Sequence, residues 1–375
     1  MSPTVEARPV TVVLAGGGTG GHLFPGIAVA QELRRRHPDW RFVFLGTARG
    51  IEVRAVPQYG FELTLLPVMP LRGKGVWGAV KGLMAIPRAV LQARAHLRQW
   101  GATMAIGVGG YAAGPALLAA WSLGLPTAIM EQNAHAGLTN RWLGRLCDDI
   151  LLAMPNRQLG ACKGARVVGN PVRQDLLALR DSPPRYPQAF TPERPLRLLV
   201  MGGSQGAHAL NEAMVALLPH LRGLPVAVRH QCGTADLPRL QETYGRHLEV
   251  AAQVTPFIDD MAQAYREADV VLCRSGASTL AELGVVGLPS VLVPYPFAAD
   301  DHQTANAQVM VAAGGGQLLP QGALSGEALL NLLRPWLESP AALGDMAGHA
   351  KAFGRPQAVT IICDIIEAGV QRVQR

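Results

Sequence analysis

One short pattern occurs twice in the chain, near its start and near its middle. VTVVLAGGGTGGH (residues 10–22) and LRLLVMGGSQGAH (residues 196–208) are each an apolar run followed by a glycine-rich turn and the beginning of a helix-like segment. A buried strand that ends in glycines and leads into a helix opens a Rossmann-type parallel sheet. Because 375 residues suffice for two domains of ordinary size, the repetition predicts two such domains.

Strand-like and helix-like segments alternate along the whole chain. The helix-like segments include 22–36, 209–221, 259–268 and 325–338. The strand-like runs are VTVVLAG, RFVFLGT, FELTLLPV, MAIGVGG, PTAIMEQ, DILLAM and RVVGN in the first half, and LRLLVMGG, VAVRHQCG, EVAAQV, DVVLCRSG, PSVLVPYP and GGQLLP in the second. This alternation predicts an α/β fold of two Rossmann-like domains, with parallel sheets facing a cleft. A stretch rich in proline and charge places the domain junction within 170–195.

The 29 residues from 102 to 130 carry no charge, which raises the possibility of a membrane span. Glycines and prolines interrupt the stretch. It is better interpreted as a buried strand, a helix and a second buried strand, because parallel strands covered on both faces are uniformly apolar.

Charge is distributed unevenly between the two halves. Residues 1–170 hold 18 Lys/Arg and 8 Asp/Glu, whereas the rest of the chain holds 16 and 19. A basic half indicates an anionic partner, such as a nucleotide, a nucleic acid or an acidic lipid, or simply serves solubility. The five cysteines are widely spaced, which is typical of reduced thiols in a cytoplasmic protein and not of a disulfide or zinc framework.

The first glycine turn matches the spacing G-x-G-x-x-G at Gly16, Gly18 and Gly21, which is also found in NAD-binding domains. An NAD site usually has an acidic residue at the end of the second strand, but that strand here ends FLGTARG. The turn leads instead into His22, an ionisable ring at a helix N-terminus. We therefore expect a turn that binds some other anion, or one that only tightens a βα unit.

A second candidate site lies in DVVLCRSGASTLAEL (269–283), a strand, a Ser-Gly turn and a helix. The helix N-terminus at Ser278 and Thr279 can bind a diphosphate, or these residues only cap the helix. Glu282, about one turn further on, can accept hydrogen bonds from a ribose, or it lies on a solvated face.

Three further segments follow strands and carry polar side chains. PYPFAADDHQTANAQ (294–308) supplies hydrogen-bonding groups suited to a sugar, including Gln303. MEQNAHAGLTNR (130–141) adds Glu131 and Asn133, and GNPVR ends in Arg173, which can bind phosphate. Since no D-x-D or His-rich ligand set accompanies them, the sequence predicts no metal at the site.

The segment 71–100 contains six Lys/Arg and no acidic residue. Lys74, Lys81 and Arg88 recur every seven residues and so share a helix face, and Trp77 and Met84 add apolar bulk. Such a helix can lie on an anionic membrane, or it packs its apolar stripe on the sheet.

Taken together, the motifs resemble the MurG family of UDP-N-acetylglucosamine:undecaprenyl-diphospho-muramoylpentapeptide N-acetylglucosaminyltransferases, within glycosyltransferase family 28. The resemblance spans nearly the whole chain, in family order. It rests on GGTGGHLFPG, GVGGYAAGP, EQNAHAGLTN, VGNPVR, GGSQGA, FIDDM, CRSGASTLAE and DHQTANA. One departure is Met130, which stands where a histidine often precedes Glu-Gln-Asn.

The resemblance implies a GT-B fold with residues 1–170 as the acceptor and membrane domain. Residues 171–356 would bind UDP-GlcNAc, and helix 357–375 would pack back on the first domain. The enzyme would transfer GlcNAc with inversion, without metal or cofactor, to the C4 hydroxyl of MurNAc in lipid I, forming lipid II. It would act as a peripheral protein on the cytoplasmic face of the inner membrane, with an anionic lipid surface and no nucleic acid as partner.

The resemblance also implies a set of donor-binding residues. Ile258 would meet uracil through its backbone, and Gln303 would bind the sugar hydroxyls. The others are Thr19, Gly20, Gly21, Asn133, Arg173, Ser204, Ala277, Ser278, Thr279, Leu280, Ala281 and Glu282. His22 is the first candidate for the base that takes the acceptor proton, and Glu131 is the second.

Other functions remain compatible with the residues. They are a glycolipid synthase that uses UDP-galactose, a UDP-GlcNAc 2-epimerase, and a sugar-nucleotide-binding module without catalysis. An NAD-dependent oxidoreductase is disfavoured because the second strand lacks its carboxylate.

Overall fold

A computed structural model describes residues 9–48, 50–68, 75–182, 186–203 and 205–374. The side chains of residues 75–84 and 374 are also outside the description. The chain divides into two compact units. Unit 1 comprises residues 1–171 and 357–375, and unit 2 comprises residues 172–356.

Unit 1 is built on a seven-stranded parallel sheet in the order β3-β2-β1-β4-β5-β6-β7. Its strands are β1 (Thr11–Gly16), β2 (Arg41–Gly46), β3 (Glu62–Leu65), β4 (Met104–Gly109), β5 (Thr127–Glu131), β6 (Asp149–Leu152) and β7 (Ala165–Val167). Its first helices are α1 (Gly20–Arg36), α2 (Glu52–Gln58), α3 (Gly75–Gln99), α4 (Ala113–Ser122) and α5 (Leu138–Leu143). The predicted strand, helix and strand within residues 102–130 are confirmed as β4, α4 and β5.

Unit 2 contains a six-stranded parallel sheet in the order β10-β9-β8-β11-β12-β13. The strands are β8 (Leu196–Met201), β9 (Val226–Gln231), β10 (Ala251–Thr255), β11 (Val270–Cys273), β12 (Ser290–Leu292) and β13 (Gly316–Leu318). The helices are α6 (Gln174–Leu177), α7 (His208–Leu217), α8 (Leu237–Gly245), α9 (Met261–Glu267), α10 (Ala277–Val286), α11 (His302–Ala312), α12 (Gly326–Glu338) and α13 (Pro340–Phe353). Short 3-10 turns lie at Leu218–Leu221, Ala299–Asp301 and Gln321–Ala323.

Alternating residues of each central strand pack on opposite faces of its sheet. In β1, Val12 and Leu14 join a cluster with α1, whereas Val13 and Ala15 join a cluster with α3 and α4. Both faces are therefore covered, which explains why the strands are uniformly apolar and confirms the predicted parallel α/β sheets. In the described part of the chain, no helix combines the length and the apolarity that crossing a bilayer requires.

The last helix, α14 (Ala358–Gln374), returns to unit 1 and packs against α1 and β4. Ile362 and Ile366 are fully buried in the cluster that contains Val12 and Leu14. At the end of the helix, the Arg372 guanidinium lies 2.9 Å from the buried carboxylate of Asp149. The helix thereby completes the core on one face of the first sheet.

We expect Ile366→Ala to lower the free energy of unfolding of unit 1 by about 2–5 kcal/mol, the usual cost of removing a buried isoleucine side chain. Ile361→Ala is the matched control on the same helix, because Ile361 is 36% exposed. Tryptophan fluorescence during urea unfolding reports mainly on unit 1, which holds five of the six tryptophans. Equal losses for the two variants would contradict the packing of α14.

Candidate active site

In unit 1, the strand order reverses between β1 and β4, and ligands bind open α/β sheets at such points. The glycine turn follows β1 directly, and the N–H of Gly17 donates to the carbonyl of Gly109 at 3.0 Å. Gly16 and Gly17 have φ values of 142° and 139°, which side chains rarely tolerate. A Cβ atom at Gly16 would also overlap the carbonyl of Gly109. The turn therefore depends on contact between two bare backbones.

A buried carboxylate holds the same turn from the other side. Glu52, at the start of α2, is 1% exposed. Its oxygens accept from the N–H of Gly18 at 2.8 Å and from both the N–H and the hydroxyl of Thr47 at 2.9 Å. Burial raises the pKa of Glu52, but these hydrogen bonds outweigh it, so the pKa is lower than usual. Sequence reasoning missed Glu52, because it lies 34 residues from the glycine it binds.

The N-terminus of α1 is open to solvent. Thr19 precedes the helix in an extended conformation, its side chain makes no capping hydrogen bond, and the first turn contains no acidic residue. Gly18, Thr19 and Gly21 are exposed. The first amides of a helix carry a partial positive charge, so this turn can bind an anion.

His22 lies in that first turn and is half-buried. Its Nδ1 is 2.8 Å from Oε1 of Gln132, the residue after β5. A Cβ atom at Gly109 would come within 2.5 Å of the same nitrogen, so the ring packs directly on the backbone at the end of β4. The ring is thus fixed beside the proposed anion site.

Glu131, the second candidate for the base, is 2% exposed. Its carboxylate accepts from the backbone N–H of Asn133 at 3.0 Å, from that of Gly137 at 3.1 Å and from the side-chain amide of Asn140 at 3.0 Å. Both oxygens are engaged by the loop that follows β5. This arrangement disfavours Glu131 as a base and fits a role in holding Asn133 in place.

In unit 2, the strand order reverses between β8 and β11, and α10 begins just after β11. Gly276 precedes α10 in an extended conformation, no side chain caps the helix, and its first turn contains no acidic residue. Ser278 and Thr279 are half-buried in this turn. The N-terminus of α10 therefore has the same chemistry as that of α1.

Glu282 lies one turn into α10, where Tyr265 holds one of its oxygens. The buried hydroxyl of Tyr265 donates to Oε2 of Glu282 at 2.8 Å. Among the residues that the structure describes, no group donates to Oε1. Burial raises the pKa of Glu282 above its usual value, although the Tyr265 hydrogen bond and the charge of Arg173 oppose the change. Glu282 thus offers one oxygen to a ligand, with Arg173 close enough to act on its charge.

Gln303 is tied to the segment that precedes α10. The hydroxyl of Ser275 donates to the backbone carbonyl of Gln303 at 2.8 Å, and the N–H of Tyr295 donates to its Oε1 at 2.9 Å. Just before it, Asp300 and Asp301 have φ values of 52° and 50°, a strained conformation for residues other than glycine. The loop therefore holds the Gln303 amide near the N-terminus of α10.

The structure thus gathers the predicted residues at two sites. Thr19, Gly20, Gly21, His22, Glu131 and Asn133 belong to the site of unit 1, and Arg173, Gln303 and the segment 277–282 belong to that of unit 2. Ile258 is 5% exposed in the loop before α9. Ser204 and Lys74 lie outside the described residues, as do the side chains of Trp77, Lys81 and Met84. Arg88 is exposed on α3.

Two family models match the chain. The glycosyltransferase family 28 N-terminal domain matches residues 12–152, and the family 28 C-terminal domain matches residues 197–360. The first range falls within unit 1, and the second covers most of unit 2 and extends four residues beyond it, to residue 360.

Curated relatives match over nearly their full length. A protein of Anaeromyxobacter dehalogenans is 45% identical over 96% of this chain and 93% of its own, and one of Magnetococcus marinus is 43% identical over 96% and 98%. Both are named UDP-N-acetylglucosamine–N-acetylmuramyl-(pentapeptide) pyrophosphoryl-undecaprenol N-acetylglucosamine transferase.

Solved structures show the same fold. The crystal structure of MurG from Acinetobacter baumannii is 34% identical, covers 96% of this chain and 100% of its own, and superposes with a TM-score of 0.81. CalG4, the calicheamicin glycosyltransferase, at 17% identity and a TM-score of 0.67 over 98% of this chain and 99% of its own, shares the fold alone. The predicted GT-B fold and the resemblance are both confirmed.

Glu52 should stabilise unit 1 in a pH-dependent way. We expect Glu52→Gln to cost roughly 1–3 kcal/mol at pH 7, because donors at Gly18 and Thr47 lose a charged acceptor. Since the folded-state pKa is lowered, this stability is present above the ordinary value of 4.5 and is lost as the pH falls through the lowered pKa. Urea unfolding of the wild type and Glu52→Gln, measured at pH 7 and at successively lower pH, should therefore show that their difference in free energy of unfolding disappears below about pH 4.5.

Glu62→Gln is the control for that experiment. Glu62 pairs with Arg41 on the surface of the same sheet, and its side chain is 57% exposed. Its loss should cost no more than about 1 kcal/mol. If Glu52→Gln lowers the free energy of unfolding no more than the control does, the hydrogen bonds of Glu52 to Gly18 and Thr47 do not stabilise the turn.

Proposed function

We propose that this chain, which belongs to glycosyltransferase family 28 and within it to the MurG transferases, moves GlcNAc from UDP-GlcNAc to lipid I. The acceptor atom is the C4 hydroxyl of MurNAc in undecaprenyl-diphospho-MurNAc-pentapeptide, and the product is lipid II of peptidoglycan synthesis. The names of relatives that match along more than nine tenths of both chains support these substrates. The observation that carries the proposal is the uncapped N-terminus of α10 with Glu282 one turn beyond it.

In this proposal, unit 2 binds the donor. The first amides of α10, from Ala277 to Thr279, bind the diphosphate through the helix dipole. Oε1 of Glu282 accepts from the ribose hydroxyls, while Tyr265 holds the other oxygen. Gln303 binds the sugar hydroxyls, and the backbone of Ile258 meets the uracil.

Departure of UDP leaves negative charge on the diphosphate. The positive end of α10 and the guanidinium of Arg173 can stabilise that charge, so the proposed reaction needs no divalent metal. Arg173 is half exposed, and within the described part of the chain its one ion pair is a long 3.7 Å contact with Asp175. It is therefore available to a phosphate.

Inversion requires that the acceptor oxygen attack the anomeric carbon opposite the leaving UDP while a base removes its proton. We assign the base to His22. A neutral imidazole at this position can accept the proton of the acceptor hydroxyl. Thr19, Gly20 and Gly21 bind a diphosphate at the same turn, and Asn133 and Ser204 complete the polar contacts.

The proposed location is the cytoplasmic face of the inner membrane, to which the enzyme attaches peripherally. Arg88 and Leu91 are exposed one turn apart on α3, and Leu91 is 67% exposed. Cationic and apolar side chains on one helix face can bind an anionic lipid surface. Nothing in this arrangement calls for a nucleic acid.

Glu282→Ala should weaken UDP binding by roughly 1–3 kcal/mol, the range for losing a charged hydrogen-bond partner, without unfolding unit 2. Isothermal calorimetry measures the affinity. Glu267→Ala is the matched control, because this glutamate is exposed on α9 and pairs with Arg229. Unchanged UDP affinity in Glu282→Ala would exclude the ribose role.

His22→Ala should lower kcat for transfer of radiolabelled GlcNAc to lipid I by roughly 10²–10⁴-fold, the usual contribution of a general base. The KM for UDP-GlcNAc should change little, and His220→Ala, at an exposed histidine, should behave as wild type. If turnover falls less than about tenfold, or only through weaker donor binding, the base lies elsewhere.

The wild-type enzyme should keep its transfer activity in the presence of EDTA, because the proposed reaction needs no divalent metal. Loss of activity on EDTA treatment, with recovery in magnesium, would overturn metal independence.

Reversing the charges of Lys74, Lys81 and Arg88 to glutamate should reduce sedimentation with anionic vesicles, most clearly at low salt. Unit 2 offers a charge-matched control in three exposed arginines, namely Arg222, Arg246 and Arg334. If both triple variants sediment equally with the vesicles, α3 packs on the sheet and does not bind the membrane.

A further inference from the structure

Gln132 is a buried amide, 2% exposed, whose two polar atoms each have a partner. Its Nε2 donates to the carbonyl of Val108 at 3.1 Å, and its Oε1 lies 2.8 Å from Nδ1 of His22. A backbone carbonyl can only accept, so the amide group that faces Val108 must be the NH₂. The same bond fixes Oε1 toward the histidine ring.

This orientation determines which ring nitrogen carries the proton. An amide oxygen can only accept, so Nδ1 of His22 must be the donor. In a neutral imidazole that is protonated at Nδ1, the lone pair lies on Nε2. No group among the described residues bonds Nε2, so this atom is available to a substrate.

We infer that Gln132 is a positioning residue that holds His22 in the Nδ1–H tautomer, which leaves Nε2 as the proton acceptor. The inference rests on the proposed base role of His22 and deepens it. A glutamine suits this task because its amide oxygen accepts from Nδ1 while its NH₂ group donates to the backbone.

The surrounding backbone makes the arrangement rigid. Val108 and Gly109 belong to β4, and Gln132 directly follows β5, so the ends of two adjacent strands hold the ring. The absence of a side chain at Gly109 lets the ring approach. Without the amide, the ring is free to carry its proton on Nε2, the tautomer that a free imidazole prefers, and the wrong tautomer cannot accept there.

Nitrogen-15 NMR of histidine-labelled protein tests the inference directly, because a protonated and an unprotonated ring nitrogen differ clearly in chemical shift. At a pH where the ring is neutral, wild-type His22 should show an unprotonated Nε2. Gln132→Leu should move the proton to Nε2, and Gln132→Glu should restore the wild-type pattern, since a carboxyl group also provides an acceptor toward Nδ1. His22→Ala identifies the signal.

Kinetics provide the second readout. Gln132→Leu should lower kcat for GlcNAc transfer by roughly 10²-fold or more, with little change in the KM for UDP-GlcNAc, and Gln132→Glu should recover most of it. Unchanged UDP affinity in Gln132→Leu shows that unit 2 remains folded. A purely structural role would not produce the tautomer change or its reversal.

The outcomes separate this inference from the proposed function. A wild-type His22 protonated on Nε2, or a tautomer unaffected by Gln132→Leu, overturns the inference whatever the role of His22. If the tautomer follows Gln132 as expected but His22→Ala remains fully active, the proposed base role fails and the positioning of the ring stands.

Discussion

The site of unit 1 depends on one contact between two backbones, in which the N–H of Gly17 donates to the carbonyl of Gly109. The two strand ends can approach this closely only because Gly16 and Gly110 carry no side chain: a Cβ atom at Gly16 would lie 2.0 Å from the carbonyl oxygen of Gly109, and one at Gly110 would lie 2.3 Å from that of Gly17. The approach brings the open end of α1 to the point where the strand order reverses. It also leaves room for the His22 ring on Gly109. An alanine at Gly16 would push the turn away from Gly109, and an alanine at Gly109 would push away the ring that we assign as the base.

Both units place an uncapped helix N-terminus where the strand order reverses, but the buried acidic residue beside it lies in a different place in each unit. In unit 1, Glu52 lies behind the glycine turn, and its carboxylate accepts hydrogen bonds from backbone N–H groups of the same unit. In unit 2, Glu282 lies inside α10, and Tyr265 engages only one of its oxygens. One acid therefore stabilises a turn, while the other can bind a ligand hydroxyl. This difference is the physical reason for assigning the nucleotide to unit 2 and the acceptor chemistry to unit 1.

The strands could be predicted because each central strand is covered on both faces, so that β1, β4 and β11 are short apolar runs that end in glycine or serine turns. The uncapped helix N-termini at Gly20 and Ala277 follow from the same patterns. Glu52 and Gln132 could not be predicted, because their partners Gly18 and His22 are 34 and 110 residues away. The sequence predicts a possible catalytic role for Glu131 from its place at the end of a strand, but the four donors that engage its carboxylate lie together only in three dimensions.

The central claim is that the nucleoside of the donor binds at α10, and not at the glycine turn after β1. A crystal structure of the protein with UDP tests it most directly. The account predicts diphosphate oxygens within hydrogen-bonding distance of the amides of residues 277–279, and ribose hydroxyls on the carboxylate of Glu282. UDP bound with its ribose at the Gly16–Gly21 turn, or a ribose with no contact to Glu282, would contradict it.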